Sequence, residues 1–500
     1  MRSIDKFLNS GKSIQIVLFV HFLIWIVIFQ FIDIHPDMAD HWVWSRFLAF
    51  GYYEHPPMVA LTMRLATLIG GSNIITLKLG SVLFSVLILW TAYKTAELYF
   101  DKKAALIFVL ILESTLYFTV GSTFWHIDQP YMICWLLGLY IVGRYIKSGN
   151  INWIFMFGIV AGLGALSKYI MILFPVCLLI WTVINSDARK LLLSWQTYVS
   201  AIIALSIAFP NIYWNYQNDW TTFIFVLEKG LTGSKYGEDF IQFFFAQFLM
   251  FSVVYAIYFW WCLLKKRITP DSLFKGEKAG KQGVQFLIIT ALTPMIFFTI
   301  TSFKGSLTDP HWVNITYFSA FMLLGKFISI QLSEGNHKTQ FRLFVSSYLI
   351  NILFITIVFT NIQFRYLPSS PAESLTLKKL VGWNQTVIKI EQAFQNKQLE
   401  LPAYVISREY QTASVLSLYA PQHPIPHSIE KATRNVWSPV NEVIEKGAFL
   451  VCRPRECNKL LPKAEQRFDR KFDYLDHIQV HRFGNKIKDL KIYYFQGKER

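Results

Sequence analysis

The chain has 500 residues, of which 53% are hydrophobic and only 16% are charged, whereas about a quarter of the residues in an average soluble domain are charged. This composition excludes both a single water-soluble globule and a disordered chain. The net charge of +16 would suggest nucleic-acid binding in a soluble protein. In a chain with long apolar runs, the same positive charge instead indicates a membrane protein with basic cytoplasmic loops. No nucleic-acid partner is therefore expected.

Apolar stretches of about 18–25 residues, long enough to cross a bilayer, recur through the first 362 residues. They predict an α-helical polytopic membrane protein with eleven spans, at 13–32, 74–93, 104–121, 129–146, 151–167, 169–186, 195–213, 241–263, 285–302, 312–330 and 343–362. Lys and Arg concentrate in alternate loops, and the loop at 122–128 has none. The positive-inside rule therefore places the N-terminus in the cytoplasm and, after eleven crossings, the C-terminus outside.

The composition changes near residue 363, which predicts a transmembrane domain at 1–362 and a periplasmic domain at 363–500. A Pro- and Ser-rich stretch at 368–371 is typical of a linker. Beyond it, helical patterns at 379–397 and 411–419 alternate with strand-like runs at 403–407, 449–452 and 491–495. This alternation predicts a small α/β domain. Cys452 and Cys457 would pair if that side is oxidising, and two free thiols are the equally weighted alternative.

The first outer loop is the richest in polar residues, and its apolar periodicity predicts two short helices lying at the membrane surface. An acid at a span end is usually a solvated loop charge. The case for Asp37 is stronger because the next outer loop, which is tight and apolar, carries Asp128. An acid there is costly unless it has a partner or a task. We therefore expect Asp37 and Asp128 to face one cavity.

Other polar and aromatic residues fall at the outer ends of later spans. They are Lys168, Tyr169, Trp214, Asn215, Trp220, Asp309 and His311. Lys168 either extends its ammonium group to the interface or binds a lipid-linked phosphate. The aromatic and amide residues at 210–220 suit sugar rings, although an interfacial aromatic belt would have the same composition.

With these residues assembled, the chain resembles the bacterial membrane glycosyltransferases of the dolichyl-phosphate-mannose–protein mannosyltransferase-like family. These enzymes have the GT-C fold and include aminoarabinose transferases that act on lipid A. The most specific match is the segment Gly-Tyr-Tyr-Glu-His-Pro-Pro-Met at 51–58. Further matches lie at 37–45, 126–130, 162–169, 210–220, 309–312, 408–419 and 433–437.

The resemblance implies an inner-membrane transferase that moves a sugar from a polyprenyl-phosphate donor to an envelope acceptor, lipid A or another glycolipid, by an inverting displacement. Asp37 and Asp128 match the catalytic loop acids. The implied contacts to the donor phosphate and lipid are Arg46, His55, Lys168 and Tyr169. Those to sugar and acceptor are Trp214, Asn215, Trp220, Asp309 and His311. Some members hold a divalent metal near Glu54, which makes Glu54 a candidate metal ligand; no other cofactor is implied.

Two alternatives remain open from the sequence. Within the enzyme class, the acceptor is a protein, as in protein O-mannosyltransferases. In a different class, the chain is a transporter or flippase of lipid-linked sugars. A transporter more often has repeated halves and broken helices at mid-membrane. The acids of this chain instead cluster at one face, which favours the enzyme.

Overall fold

In the computed structural model the chain is mostly helical, and its strands form one sheet near the C-terminus. The structure describes residues 7–231, 238–303, 309–334, 337–364, 378–430 and 435–497. The linker predicted at 368–371 lies outside the described residues, as do the basic residues Arg2 and Lys6.

The α-helices up to residue 364 are Ser13–Ile28, Pro36–Arg46, Met58–Gly70, Ile74–Tyr99, Lys102–Glu113, Leu116–Gly121, Asp128–Ser148, Trp153–Ser167, Leu173–Ile184, Trp195–Gln217, Thr221–Leu231, Glu238–Phe251, Val253–Leu264, Pro270–Leu273, Lys278–Phe303, Asn314–Ser333 and His337–Phe364. Short 3-10 helices lie at Tyr169–Ile172, Ala188–Leu191, Pro310–Val313 and Lys378–Leu380. The two short helices predicted in the first outer loop are present as Pro36–Arg46 and Met58–Gly70.

Among the described residues, five helices are long and apolar enough to cross a membrane, or six if one bent pair is counted as a single span. The chain is therefore an integral membrane protein. The five are Ile74–Tyr99, Trp195–Gln217, Lys278–Phe303, Pro310–Ser333 and Lys338–Ile362. All eleven predicted segments are largely helical, but the number that cross the membrane stays a prediction.

Two of the predicted spans are broken rather than continuous. The segment 241–263 bends by 106° at Ser252, whose φ is 80° and whose hydroxyl accepts the backbone N–H of Tyr255. The segment 104–121 is interrupted before Thr115, whose hydroxyl accepts the N–H of Phe118. These hydroxyls start a new helix by replacing a carbonyl of the preceding turn, a local effect that hydropathy does not register.

The loops that the sequence assigns to the cytoplasmic side gather at one end of the helical bundle. Lys326 pairs with Asp101 at 2.7 Å, and Lys278 pairs with Asp187 at 2.8 Å. Lys103 also donates to Ser333. The first outer loop, Asp128 and Lys168 lie at the opposite end, so the structure separates the two predicted sets of loops.

Helices Trp153–Ser167 and Trp195–Gln217 pack with their backbones close together. A Cβ atom added to Gly158 would lie 2.3 Å from the carbonyl oxygen of Ser200, and one added to Gly162 would lie 2.9 Å from that of Ala204. Only glycine fits such an approach. Gly158 and Gly162 therefore mark a close contact between these two helices.

The C-terminal region contains helices Trp383–Asn396, Tyr410–Tyr419, Val440–Lys446 and Pro454–Phe468. Its strands are β1 (Tyr404–Ser407), β2 (Ile425–Ser428), β3 (Gly447–Cys452), β4 (Asp473–Arg482) and β5 (Asn485–Gln496). They form one sheet in the order β2-β1-β3-β5-β4. Strand β1 is parallel to β2 and β3, whereas β5 is antiparallel to β3 and β4. The α/β composition predicted for the tail is present, and so is a Cys452–Cys457 disulfide bond.

Alternate residues of the sheet enter different cores, as the two-residue repeat of a strand requires. Tyr404 and Ile406 pack with the helix Pro454–Phe468. Val405 faces the other way, into a core shared with the helix Trp383–Asn396 and with the outer-loop helix Pro36–Arg46. One hydrophobic core thus joins the C-terminal sheet to the first outer loop.

Hydrogen bonds reinforce this joint. The N–H of Ile34 donates to the hydroxyl of Tyr419 at 2.8 Å, and the buried Asp40 carboxylate accepts from Ser414 at 3.1 Å. Asp33 accepts the N–H of Trp383 at 2.8 Å. The C-terminal region therefore holds the start of the helix Pro36–Arg46, and with it Asp37, in a defined position.

We predict that Tyr419→Phe destabilises the full-length protein. The substitution leaves the buried N–H of Ile34 without its acceptor, which costs about 1–3 kcal/mol. Thermal unfolding of the detergent-solubilised protein should report a lower melting temperature. Tyr198→Phe is the matched control, because the Tyr198 hydroxyl donates to an exposed carbonyl. Equal melting temperatures for both variants would contradict the prediction.

Candidate functional site

Asp128 is the point on which the outer ends of several helices converge. It is the first residue of the helix Asp128–Ser148 and its side chain is 8% exposed. Its Oδ1 accepts a hydrogen bond from the Lys168 Nζ at 2.6 Å. His126 Nδ1 and His311 Nε2 lie 3.7 Å and 3.9 Å from its Oδ2. One carboxylate thus gathers an ammonium group and two imidazoles.

A hydrogen-bond chain holds Asp128 from behind. The Tyr117 hydroxyl donates to Asp128 Oδ2 at 3.2 Å and accepts from Asn314 Nδ2 at 2.6 Å. Asn314 is buried, and its own Oδ1 has no partner among the described residues. The carboxylate is therefore fixed by neighbours on both sides, which is the requirement for presenting cations in a constant geometry.

Asp37 lies in the first turn of the helix Pro36–Arg46, and its side chain is 35% exposed. His35 precedes the helix, and its Nδ1 accepts the backbone N–H of Asp37. This bond requires an unprotonated Nδ1. Burial lowers the pKa of His35 to about 4, so the imidazole is neutral near pH 7.

The charge of Asp37 is favoured by its surroundings. Burial raises the pKa of Asp37, whereas electrostatic interactions with His35, His126, His41 and Lys379 together lower it by more, so the pKa lies below its usual value. The interaction with His35 acts in the acid range in which the carboxyl titrates, and it is absent near pH 7, where His35 is neutral. The positive end of the helix Pro36–Arg46 also favours an anion in the first turn. Asp37 is thus an ionised carboxylate that solvent and ligands can reach, whereas Asp128 is enclosed.

Ring contacts connect the surroundings of the two acids. His35 stacks on Phe124 at 4.5 Å between ring centroids, and Phe124 lies 5.4 Å from His126. His126 also contacts His41 at 5.1 Å and His55 at 6.4 Å. His126 is therefore the link between Asp128 and the loop that carries Asp37. The sequence placed His126 only within the matching segment 126–130 and did not single out His35 or His41.

Arg46 is held by the protein itself. Its guanidinium lies 4.9 Å from the Trp42 ring centroid and donates to the carbonyl oxygen of His423 and the hydroxyl of Ser417. These partners join the first outer loop to the C-terminal region. These contacts do not test the predicted binding of a lipid phosphate by Arg46, which stays a prediction.

Tyr169 and Asn215 belong to one hydrogen-bond network. The Tyr169 hydroxyl donates to Asn211 Oδ1 at 2.8 Å, and the buried Asn215 donates to the same hydroxyl at 3.4 Å. Asn211 in turn donates to the carbonyl oxygen of Phe50 at 2.7 Å. The network ties the end of the helix Trp195–Gln217 to the first outer loop.

The segment 210–220 is mostly helical, because the helix continues through Pro210 to Gln217. The predicted span ends at 213 and the sequence suggests a loop beyond Pro210, which is wrong: the helix runs four residues past 213 and contains the proline. Trp214 faces the first outer loop, where a Cβ on Gly51 would lie 2.4 Å from the Trp214 ring. Trp220 lies at the following turn with φ 55° and its side chain is 42% exposed.

A cavity of about 610 Å³ lies between the first outer loop, the end of the helix Trp195–Gln217 and the C-terminal region. Its lining includes Trp44, Tyr52, Trp214 and Trp437. Neither Asp37 nor Asp128 lines it. The Trp44 ring lies 4.8 Å from His41 and 6.2 Å from His55, so Trp44 adjoins both the cavity and the histidines around His126.

The metal expectation finds no support in the geometry. Among the described residues there is no group of three or more His, Cys, Asp or Glu side chains that could hold a metal ion. Glu54 and His55 lie in the bend before the helix Met58–Gly70, and Asp309 immediately precedes the 3-10 turn of His311. We derive no chemical step through a metal.

The family model for dolichyl-phosphate-mannose-protein mannosyltransferases matches residues 54–214. The predicted resemblance is confirmed. A curated relative, the lipid A galacturonosyltransferase RgtD of Rhizobium johnstonii, is 25% identical over 259 residues. That match covers 47% of this chain and 52% of the relative, so the aligned part spans about half the length of each.

Two solved structures share the fold over almost the whole chain. ArnT from Cupriavidus metallidurans, bound to undecaprenyl phosphate, matches with a TM-score of 0.64 and 14% identity over 97% of this chain and 98% of ArnT. The oligosaccharyltransferase AglB from Archaeoglobus fulgidus, in complex with an inhibitory peptide and a dolichol-phosphate, matches with a TM-score of 0.51 and 9% identity over 98% and 75%. At such identities the likeness shows the fold alone.

We predict that Lys168→Met destabilises the protein, because it leaves the Asp128 carboxylate enclosed without its cation. Removing one partner of a buried pair costs about 3–5 kcal/mol. The double variant Lys168→Met/Asp128→Asn removes both charges and should recover part of the loss. Thermal melting of the purified protein measures both effects. A double variant that is less stable than Lys168→Met would contradict the prediction that Asp128 and Lys168 stabilise the protein as a pair.

Proposed function

We propose that the protein is a membrane glycosyltransferase that moves a sugar from a polyprenyl-phosphate donor to a glycolipid acceptor of the envelope. The observation that carries the proposal is that an accessible, ionised Asp37 and an enclosed Asp128 both interact with His126, while Lys168 and His311 also lie at Asp128. The same fold in ArnT holds undecaprenyl phosphate, and RgtD acts on lipid A.

The groups around Asp128 suit the donor phosphate. The Lys168 ammonium is fixed at 2.6 Å from the carboxylate, and the two imidazoles bring further donors to the same place. A phosphate needs several such donors, and its charge grows as the bond to the sugar breaks. In this proposal Asp128 positions the cations, while Lys168 and the histidines contact the leaving phosphate.

Asp37 suits the sugar side of the reaction. A hydroxyl oxygen of the acceptor forms a bond to the anomeric carbon while the bond from that carbon to the phosphate oxygen breaks, which inverts the carbon. Asp37 accepts the hydroxyl proton, and its charge stabilises the oxocarbenium character of the transition state. The polyprenyl phosphate leaves with the electron pair of the broken bond.

The second candidate acceptor is a protein. The family model that matches residues 54–214 represents protein mannosyltransferases, and the AglB structure contains a peptide. Mass spectrometry of lipid A and of glycoproteins from a deletion strain separates the two acceptors. A transporter would move the donor without breaking the bond between sugar and phosphate. Release of polyprenyl phosphate by the purified protein therefore distinguishes an enzyme from a transporter.

The proposed setting is the inner membrane, with residues 1–362 as the membrane domain and 363–500 as a periplasmic domain. The separation of basic loops from the Asp37 end of the bundle supports this orientation. The Cys452–Cys457 disulfide is also typical of an oxidising compartment.

We predict that Asp37→Asn lowers kcat by at least about 10²-fold, because a general base contributes about 10²–10⁴-fold. The KM for the donor should change little, since Asp37 acts on the reacting carbon and not on the phosphate. Turnover of an undecaprenyl-phosphate sugar by purified protein measures both constants. The loss should persist from about pH 5 to 8, where a carboxylate with a lowered pKa stays ionised.

Asp271→Asn is the matched control for this measurement. Asp271 is exposed and pairs with Lys281, in the half of the bundle that carries the basic loops. It should retain wild-type kcat. A folded Asp37→Asn protein with wild-type turnover would remove Asp37 from the mechanism and leave Asp128 as the acid to test.

The orientation has a separate test. Alkaline phosphatase fused after residue 400 should be active in cells, because that reporter requires the periplasm. A cytoplasmic reporter at the same position should be inactive. The reverse pattern would place Asp37 on the cytoplasmic side and contradict the proposed access of the site to a periplasmic acceptor.

A further inference from the structure

We infer that the cavity between the first outer loop and the C-terminal region is a saccharide subsite, which binds a sugar ring of the acceptor by stacking on Trp214 and Trp437. The inference rests on the proposed function, because it specifies where that reaction holds its acceptor. It gives the C-terminal region, which supplies Trp437 to the cavity, a role in binding the acceptor.

The composition of the wall indicates a carbohydrate. Six aromatic side chains line the cavity: Trp44, Phe47, Tyr52, Tyr53, Trp214 and Trp437. Gln217 and Asn218 add amides, and Asp219 is the one charged residue among the described lining residues. Flat apolar rings beside amides and a carboxylate match a pyranose, which has apolar faces and a rim of hydroxyl groups. The volume of about 610 Å³ lies within the range of small-ligand sites.

The rings are held in place before any ligand binds. Trp44 and Tyr52 stack at 4.5 Å with an interplanar angle of 11°, and Trp437 stacks on Phe47 at 5.7 Å, also at 11°. Trp214 packs against Gly51, where no side chain other than hydrogen fits. Rings that are fixed in advance lose little freedom when a ligand stacks on them.

The turn beside the cavity has a strained backbone, and this turn places Asp219 in the cavity wall. Asp219 and Trp220 have consecutive positive φ angles of 53° and 55°. The N–H of Trp220 donates to the Asn215 carbonyl at 2.7 Å, which stabilises the turn. Left-handed conformations at two successive residues other than glycine are costly, and such strain concentrates at functional sites. Here the turn carries Asp219 at the cavity wall.

The position favours the acceptor over the donor sugar. The donor sugar is bonded to its phosphate, which the proposed function places at Lys168 and His126. Trp44 contacts His41 and His55, the imidazoles next to His126, and it also lines the cavity. Trp44 therefore separates the cavity from the proposed phosphate site. The acceptor must bind next to the donor without overlapping the donor phosphate, and the cavity meets this requirement.

The test measures binding of a phosphate-free glucosamine disaccharide and of its bisphosphate to the full-length protein in detergent, by calorimetry. Trp214→Leu and Trp437→Leu should each weaken binding of the phosphate-free disaccharide by about ten-fold or more, while Trp437→Phe, which retains a ring, should stay within about three-fold of wild type. Trp195→Leu is the matched control, because Trp195 is exposed at the other end of the same helix as Trp214. Melting temperatures identify any variant that fails to fold, and the two Leu variants test the site independently.

Three outcomes would overturn the inference. These are binding of the bisphosphate with no binding of the phosphate-free disaccharide, unchanged affinity in both Leu variants, and an equal loss in Trp195→Leu. The proposed function is tested separately by wild-type turnover of an undecaprenyl-phosphate sugar. Disaccharide binding without any turnover would contradict the proposed function, whereas turnover with unchanged Leu variants would contradict the saccharide subsite alone.

Discussion

The arrangement of the outer end of the bundle depends on the enclosed pair between Asp128 and Lys168. Their side chains are each 8% exposed, and the atoms lie 2.6 Å apart. An isolated carboxylate at this depth would be strongly disfavoured, so the helix Asp128–Ser148 and the end of Trp153–Ser167 must come together. Tyr117 and His311 then approach the same carboxylate from two further elements. A single electrostatic requirement thus fixes four chain segments around one point.

The second constraint is the joint between the first outer loop and the C-terminal region. The helix Pro36–Arg46 is short and would be marginal alone in water. It gains its position from the core that it shares with Val405 of β1 and from the bond between Ile34 and Tyr419. The C-terminal region is therefore part of what orients Asp37, although Asp37 lies more than 300 residues earlier in the chain.

The sequence predicted the parts of this protein that depend on local pattern. Hydropathy located the helical segments, apolar periodicity located the two short helices of the first outer loop, and the strand-like runs located β1, β3 and β5. It missed β2, β4 and the helices Val440–Lys446 and Pro454–Phe468. Strand β2 (Ile425–Ser428) is short and contains proline, and β4 alternates weakly because much of it is exposed. A pattern of four to ten residues carries little signal when pairing partners supply most of the stability.

The same distinction applies to the site. Asp128 and Lys168 stood out because a charge within a tight apolar segment is costly, and Asp37 stood out because it lies in the outer loop before that of Asp128. Their pairing was hidden, since Asp128 and Lys168 are 40 residues apart and only the packed bundle brings them together. His35 acts through a helix-start hydrogen bond, and Trp437 acts through a stack on Phe47. Both residues are ordinary in sequence, because their importance lies in what the fold places beside them.

The contacts of Asp37 and Asp128 differ in a way that supports the different roles proposed for these two acids. Asp128 is surrounded by donors that consume its hydrogen-bonding capacity, so it is suited to holding cations and not to accepting a substrate proton. Asp37 is partly exposed beside a neutral His35, which offers no proton at Nδ1 and therefore leaves the carboxylate oxygens available. In the proposed mechanism, environment separates the carboxylates into a fixed anchor and a reactive group, as it does in other sites with paired acids. The division of labour follows from the contacts of each side chain and does not require any difference in the residues themselves.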